Sequence, residues 1–287
     1  MDLPPTLPAD TVDRIVAQAI AEDVPWGDIT TDSLIPPNQE GIARIEARAE
    51  GVLAGLPVAR AVFARIDPAI QFDPLCHDGS PIEPGQVVAR LSGPLRGLLR
   101  GERVALNFLQ HLSGIATTTR QYVRAIAGTR ARIVDTRKTT PGLRLLEKYA
   151  VRVGGGQNHR FSLSDAVLVK DNHLAALRLR GTDVAAALRD LRRRLPHTVV
   201  IEVEAATLEE VRTVLEGEPD AILLDNMPIE MLAEAVRLVG GRALTEASGG
   251  INLQTVRAVA ETGVDVISVG ALTHSVRALD LALEIDL

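Results

Sequence analysis

From Ala131 onward the chain repeats one pattern. A short apolar run ends in a polar or charged residue, and a helical stretch follows. The runs are ARIVD (131–135), AVLVK (166–170), TVVIEVE (198–204), AILLD (221–225), RALTE (242–246) and DVISVG (265–270). Helical periodicity falls between them at 182–195, 207–216, 228–239 and 252–262. Apolar strands alternating with helices imply a parallel sheet covered on both faces. Six such units make an incomplete α/β barrel rather than a full eight-unit one. Strands in that arrangement point the same way, so their C-terminal residues share one rim. Here those residues are Asp135, Lys170, Glu202 with Glu204, Asp225, Glu246 and Gly270. Contact with solvent explains any one charge, but the convergence of both signs on one rim points to a ligand site.

The first 130 residues read differently. Thr11–Asp23 has helical spacing, with Asp10 or Thr11 as the cap. VPWGDITTDSLIPP then reads as a turn-rich connector, with Trp26 packing the first helix onto the body. Residues 41–50 alternate in polarity as a half-wet strand does. Leu56–Ile66 reads as a helix, and Ala69–Phe72 and Gln86–Leu91 as short strands. A long helical region runs from Leu95 to Ala127, interrupted near Gly114. This half is α+β, with helices on a small, mostly antiparallel sheet.

Composition narrows the chemistry. With 46% hydrophobic but only 2% aromatic residues, the core must be aliphatic. A net charge of −6 argues against a nucleic-acid protein. Cys76 is the single cysteine, so an intrachain disulfide is excluded and a reducing compartment is permitted. No role is assigned to the turn around Cys76, His77 and Asp78. No run approaches the length of a membrane span. MDLPPTLPAD lacks the features of a secretory signal, and the expected location is cytoplasmic. The only lysines, Lys138, Lys148 and Lys170, fall close together in a chain otherwise rich in arginine. Chance and a need for compact ammonium charges both explain that cluster.

Several motifs carry chemistry. EASGGIN (246–252) follows a strand, and its Ser248, Gly249 and Gly250 are expected to present backbone N–H groups at a helix start, which suits a phosphate. SVGALTHS (268–275) repeats the arrangement. Two ordinary βα turns are the alternative. Glu202 and Glu204, two apart on a strand, share a face. Glu204 with Asp225 on the next strand suits Mg²⁺ beside a phosphate, although salt bridging would also explain them. No His/Cys spacing fits zinc. DTRKTTPGLR (135–144) supplies Arg137 and Lys138, GGGQNHR supplies His159 and Arg160, and VLVKDNH supplies Lys170 and His173. This is a cationic shell in an acidic protein, with arginines suited to carboxylates and lysines to phosphate. The three glycines are expected to let the backbone pass close to a ligand.

RKTTPGLR, EKYAVRVGGGQNHR, VLVKDNH, ILLDN, EASGGIN and VGALTHS, in this order, resemble the quinolinate phosphoribosyltransferases. EDVPWGDITTDSLIP, ARAEGVLAGL and ERVALNFLQHLSGIAT extend the resemblance over nearly the whole chain. It implies an N-terminal α/β sandwich (1–115) and a C-terminal incomplete α/β barrel (116–287), with room for the last helix to pack back on the N-terminal domain. It implies a homodimer, sometimes assembled further to a hexamer, in which Arg103 reaches the partner's site. The implied reaction is that of a pentosyltransferase. Quinolinate and 5-phosphoribosyl-1-pyrophosphate give nicotinate mononucleotide, pyrophosphate and CO₂, with Mg²⁺, in NAD biosynthesis.

The resemblance also distributes the residues. Arg103, Arg137, His159, Arg160 and Lys170 hold quinolinate. Thr136, Lys138, Ser248, Gly249, Gly250, Ser268, Gly270 and His274 hold phosphoribosyl pyrophosphate. Glu204 and Asp225 bind the metal, and Lys138, Lys170, Glu204 and Asp225 are catalytic. Ser164 stands where the family leads us to expect a bulky residue, which implies a local packing change. Two alternatives compete. One is a phosphoribosyltransferase of the same fold acting on another pyridine or related acid. The other is a barrel aldolase with Lys170 as Schiff-base nucleophile. A non-catalytic phosphate-ligand sensor fits the cationic mouth less well.

Overall fold

The computed structural model describes residues 6–286. They divide into two compact units. One gathers the residues up to Arg120 with 139–155 and 272 onward, and the other gathers 121–138 and 156–271. The first unit thus also gathers segments from beyond residue 115. The reasons are local to the first unit: helix α5 (Arg144–Val153) ends against α4 (Leu95–Ala125), and the chain terminus supplies a strand.

In the first unit, α1 (Ala9–Asp23) buries Val12, Ile15 and Val16. Its N-cap is Pro8, so Asp10 and Thr11 lie inside the helix and cap nothing. The connector contains a helix that the sequence reading missed, α2 (Ile29–Leu34). The Asp28 carboxylate accepts the Thr31 N–H at 3.0 Å and starts it. Trp26 is 96% exposed in this unit and anchors nothing within it.

The main sheet of the first unit contains β1 (Glu40–Ala47), β3 (Gln71–Pro74), β5 (Val87–Pro94) and β12 (Leu281–Asp286), in the order β12-β1-β5-β3. All its pairings are antiparallel. A small ribbon pairs β2 (Gly51–Val52) with β4 (Pro81–Ile82). The alternation on β1 is used as expected. Ala43, Ile45 and Ala47 are buried, while Arg44 pairs with Asp286, and Arg48 beyond the strand pairs with Glu284. The chain end is thus a strand where a helix was expected. Its Leu281 and Leu283 alternate inward.

Helix α3 (Leu56–Ile66) buries Val58, Val62 and Phe63, and Phe63 meets Phe72 of the sheet at 6.1 Å between ring centroids. Helix α4 runs without interruption through Gly114. Glycine stands there because an added Cβ would lie 2.2 Å from the carbonyl oxygen of Arg277. The residue marks a close crossing of backbones, not a break.

The second unit follows the expected pattern closely. Strands β6 (Arg132–Val134), β7 (Val167–Val169), β8 (Ile201–Ala205), β9 (Ala221–Asp225), β10 (Leu244–Ser248) and β11 (Val266–Ser268) coincide with the six apolar runs. Every pair is parallel, and the order is β6-β11-β10-β9-β8-β7. Among the described residues β6 and β7 are not paired with each other, so the barrel is open between them. Helices α6 (Asp171–Leu179), α7 (Val184–Arg194), α8 (Leu208–Leu215), α9 (Ile229–Val239) and α10 (Val256–Glu261) connect the strands, and the short α11 (Ala271–His274) follows β11. Asp183 and Thr207 cap α7 and α8 by accepting the N–H groups of Ala186 and Glu210.

Candidate active site

Parallel strands place the ends of β6 to β11 on one rim. The segment after α5 reaches that rim by pairing with β6. Gln157 N–H donates to Ile133 O at 2.8 Å, and Asp135 N–H donates to Gln157 O at 3.2 Å. Asp135 is fully buried. Its carboxylate accepts the Asn158 side-chain N–H at 2.5 Å and the His159 backbone N–H at 2.9 Å. It is a clamp for this segment, a role the sequence did not disclose. Two of the three glycines before it serve the fold itself. A Cβ on Gly154 would lie 2.6 Å from Ala116 O, and Gly155 has φ +95°. They end α5 tightly against α4 and turn the chain.

The cations gather in the second unit. Arg137 is half-buried, and its Nε is buried without a hydrogen-bond partner. Arg160 lies near enough to feel it: burial lowers the Arg160 pKa from its ordinary value, and the Arg137 charge lowers it further. Arg160 Nη1 donates to Ala166 O at 2.8 Å. Two guanidiniums that repel each other, one with an orphaned donor, suit a multiply charged anion. Lys138 and Lys170 are exposed. Lys138 N–H donates to Thr136 Oγ1 at 3.0 Å, so the threonine shapes the turn. Lys170 N–H donates to His173 Nδ1 at 2.9 Å. Lys148, the third lysine, is fully buried in α5 of the first unit.

The anions occupy neighbouring strands. Burial raises the pKa of Glu204, and the charges of Asp225 and Asp171 raise it further, against an opposing pull from Lys170. The Asn226 amide donates to Asp225 Oδ2 at 2.7 Å. Asn226 has φ +52°, a left-handed conformation that asparagine adopts more readily than most residues. Its N–H donates to Ser248 O at 2.9 Å, and a Cβ on Gly249 would lie 2.2 Å from its Oδ1. Asn226 therefore joins the carboxylate end of β9 to the glycine loop after β10, and the sequence reading passed over it. That loop does not open a helix directly, since α10 begins only at Val256. Gly270 directly precedes α11. Arg103 and His274 belong to the first unit, and both are exposed. The loop holding Ser164 is also exposed, and the Ser164 N–H donates to Ser162 Oγ at 3.1 Å.

Below the rim, His159 meets two buried carboxylates. Its Nε2 lies 3.0 Å from Glu202 Oε2 and 3.6 Å from Glu246 Oε2. Burial, reinforced by the Glu202 charge, pushes the Glu246 pKa up to about 8 from its ordinary 4.5. Folding therefore favours the protonated acid. That contribution to stability is complete below pH 4.5 and is lost as pH rises through about 8. The loss is at most about 1.4 kcal/mol per pH unit. Glu246→Gln mimics the protonated form and is expected to flatten the fall of Tm across this window. Parallel melting curves for the two proteins check it, and an unchanged slope refutes the assignment.

The chain matches known proteins over nearly its whole length. The family model described as "Quinolinate phosphoribosyl transferase, C-terminal domain" covers residues 115–284, and its N-terminal counterpart covers 28–113. The chain belongs to the quinolinate phosphoribosyltransferase family. It is 46% identical to the probable nicotinate-nucleotide pyrophosphorylase (carboxylating) of Synechocystis sp., over 99% of this chain and 94% of the relative. It is 44% identical to the probable enzyme of the same name from Bacillus subtilis, over 96% and 93%. The nicotinate-nucleotide pyrophosphorylase structure from Francisella tularensis superposes with a TM-score of 0.91 at 37% identity, covering both chains completely. Membership in this family agrees with the two-domain α/β fold.

Proposed function

We propose that this chain transfers the phosphoribosyl group of 5-phosphoribosyl-1-pyrophosphate to quinolinate and releases CO₂, giving nicotinate mononucleotide and pyrophosphate in NAD biosynthesis. Beyond family membership, one observation carries the reading. The Arg137 charge acts on Arg160, and the buried Nε of Arg137 has no hydrogen-bond partner. A dicarboxylate satisfies both cations, and a monoacid leaves one uncompensated.

In this reading Arg137, Arg160 and Lys170 hold the carboxylates, joined by Arg103 from a second copy in a homodimer. His159 lies beside them. Lys138, with Lys170, balances the pyrophosphate and the ring substituent. Thr136, Ser248, Gly249, Gly250, Ser268, Gly270 and His274 cradle the phosphates. As pyrophosphate leaves, positive charge develops on the ribose, and the Glu204 and Asp225 carboxylates favour it. The pyridine nitrogen attacks in line. Once alkylated it is cationic, and it stabilises the electron pair left when the adjacent carboxylate departs as CO₂; a proton from water then takes the carboxylate's place on that carbon. Lys170 stays an electrostatic group. It is exposed, not sunk in the apolar pocket that activates a Schiff-base lysine.

Glu204 and Asp225 fit Mg²⁺. They are hard oxygen donors on adjacent strands, and their mutual repulsion is relieved by a cation. Bound there, the ion would neutralise charge on the departing pyrophosphate. Among the described residues no helix is long and apolar enough to cross a membrane, and our reading places the enzyme in the cytoplasm.

The test is turnover with phosphoribosyl pyrophosphate and Mg²⁺, with quinolinate labelled at its 2-carboxylate and nicotinate offered separately. Labelled CO₂ and nicotinate mononucleotide from quinolinate alone are expected. Product from nicotinate but not quinolinate would overturn the dicarboxylate assignment.

A further inference from the structure

His159, Glu202 and Glu246 present ring-nitrogen and carboxylate atoms that all lie within 4.8 Å of one another, a spacing that a metal ion would also accept. The hydrogen bonds decide between a ligand set and a proton-bearing network. The backbone N–H of Arg160 donates to His159 Nδ1 at 2.8 Å. A peptide N–H only donates, so Nδ1 offers a lone pair and carries no proton. The ring proton is then on Nε2, which lies 3.0 Å from Glu202 Oε2. A metal on Nε2 would displace that proton onto Nδ1, against the Arg160 N–H, so the hydrogen bonds favour the proton-bearing network. Both ring nitrogens are also committed inside the protein, and neither is left to bind a substrate carboxylate.

We propose that Glu202 and Glu246 are positioning residues of the quinolinate pocket, holding the His159 ring as its Nε2–H tautomer so that the ring fixes Arg160. The proposal rests on the reading of Arg160 as a carboxylate ligand. Glu202 is the direct acceptor. Glu246 closes the far side, its Oε2 3.6 Å from the same ring nitrogen, while its Oε1 is buried without a hydrogen-bond partner. Arg160 is consequently held twice, by its N–H on the ring and by Nη1 on Ala166 O. The chain of contacts ties the cationic segment to β8 and β10, two strands of the barrel sheet. This explains why two carboxylates lie buried beneath a site that attracts anions. They face inward to the imidazole.

Two measurements test the proposal. The first uses the wild-type protein without substrate. Nitrogen NMR of ¹⁵N-histidine-labelled enzyme should show one ring held as a fixed Nε2–H tautomer, assigned to His159 by its absence in His159→Gln. A His159 ring protonated at Nδ1, or exchanging between tautomers, overturns the idea. The second compares Glu202→Gln with Glu202→Leu. Glutamine keeps an acceptor for Nε2–H and should preserve the tautomer, with a KM for quinolinate within about 3-fold of wild type. Leucine should abolish the tautomer signature and raise that KM about 10- to 100-fold, the range of one lost charge-assisted hydrogen bond. The KM for phosphoribosyl pyrophosphate should move less than about 3-fold. Equal increases in both KM values, or a glutamine variant that behaves like leucine, would overturn it. If the wild type shows the fixed tautomer but does not use quinolinate, the functional reading fails and the tautomer assignment stands.

Discussion

Replacing Arg137 with methionine is expected to lower kcat/KM for quinolinate about 1000-fold and to leave the KM for phosphoribosyl pyrophosphate nearly unchanged. A charge-assisted hydrogen bond contributes about 1.5–3 kcal/mol, and a bidentate contact makes two of them. At about 1.4 kcal/mol per tenfold in rate, that sum gives two to four orders of magnitude, as a rough estimate. The same substitution should not destabilise the free enzyme. It removes a buried donor without a partner and a cation that works against Arg160. Loss of activity with Tm held or raised distinguishes a residue poised for a ligand from one that holds the fold. Arg137→Lys should recover only part of the loss, because lysine supplies the charge without the planar fork. A change below about 10-fold in Arg137→Met would remove Arg137 from the carboxylate site.

Glu204→Gln is expected to reduce kcat about 100- to 1000-fold, the usual cost of deleting a group that stabilises transition-state charge. The folded protein raises the pKa of Glu204 through burial and the nearby Asp225 and Asp171. Its contribution to stability is therefore present below the ordinary carboxylate value and lost as pH rises through the raised one. Once ionised, the side chain opposes folding, so the neutral amide should raise Tm above that point. Added Mg²⁺ should stabilise the wild type by mass action and stabilise the variant less. Melting temperatures across a Mg²⁺ titration read this without turnover. An unchanged Mg²⁺ response in Glu204→Gln would move the metal elsewhere. Lower activity with higher stability is what a strained carboxylate pair predicts, because the repulsion that costs stability is what a cation relieves.

Much of the barrel was legible because its signals are local. A buried parallel strand needs only a run of apolar residues, and a capped amphipathic helix needs only its spacing. Hence the six runs became β6 to β11 with boundaries within a few residues. The elements misread in the first unit depend on distant chain. Gly114 resembles a helix breaker until the backbone of Arg277 is brought against it. The last strand alternates Leu281, Ala282, Leu283 and Glu284, a period-two signal, but its partner β1 lies at the other end of the chain. Trp26 shows the limit of composition. A lone tryptophan suggests a packing anchor, yet it stands out from its unit.

The candidate site divides in the same way. Residue order alone determined that charges of both signs end parallel strands on one rim, because strand direction and side-chain alternation follow from the backbone. It also determined the family, through motifs whose order chance does not reproduce. Only the tertiary structure decided which charges face a ligand and which face one another. Glu202 and Glu204 are two residues apart and point to the same side, yet Glu202 is buried under His159 and Glu204 stands beside Asp225. That difference belongs to neighbours far away in sequence. Ionisation and hydrogen bonding respond to burial and to the nearest charges, and packing the strands together is what sets both.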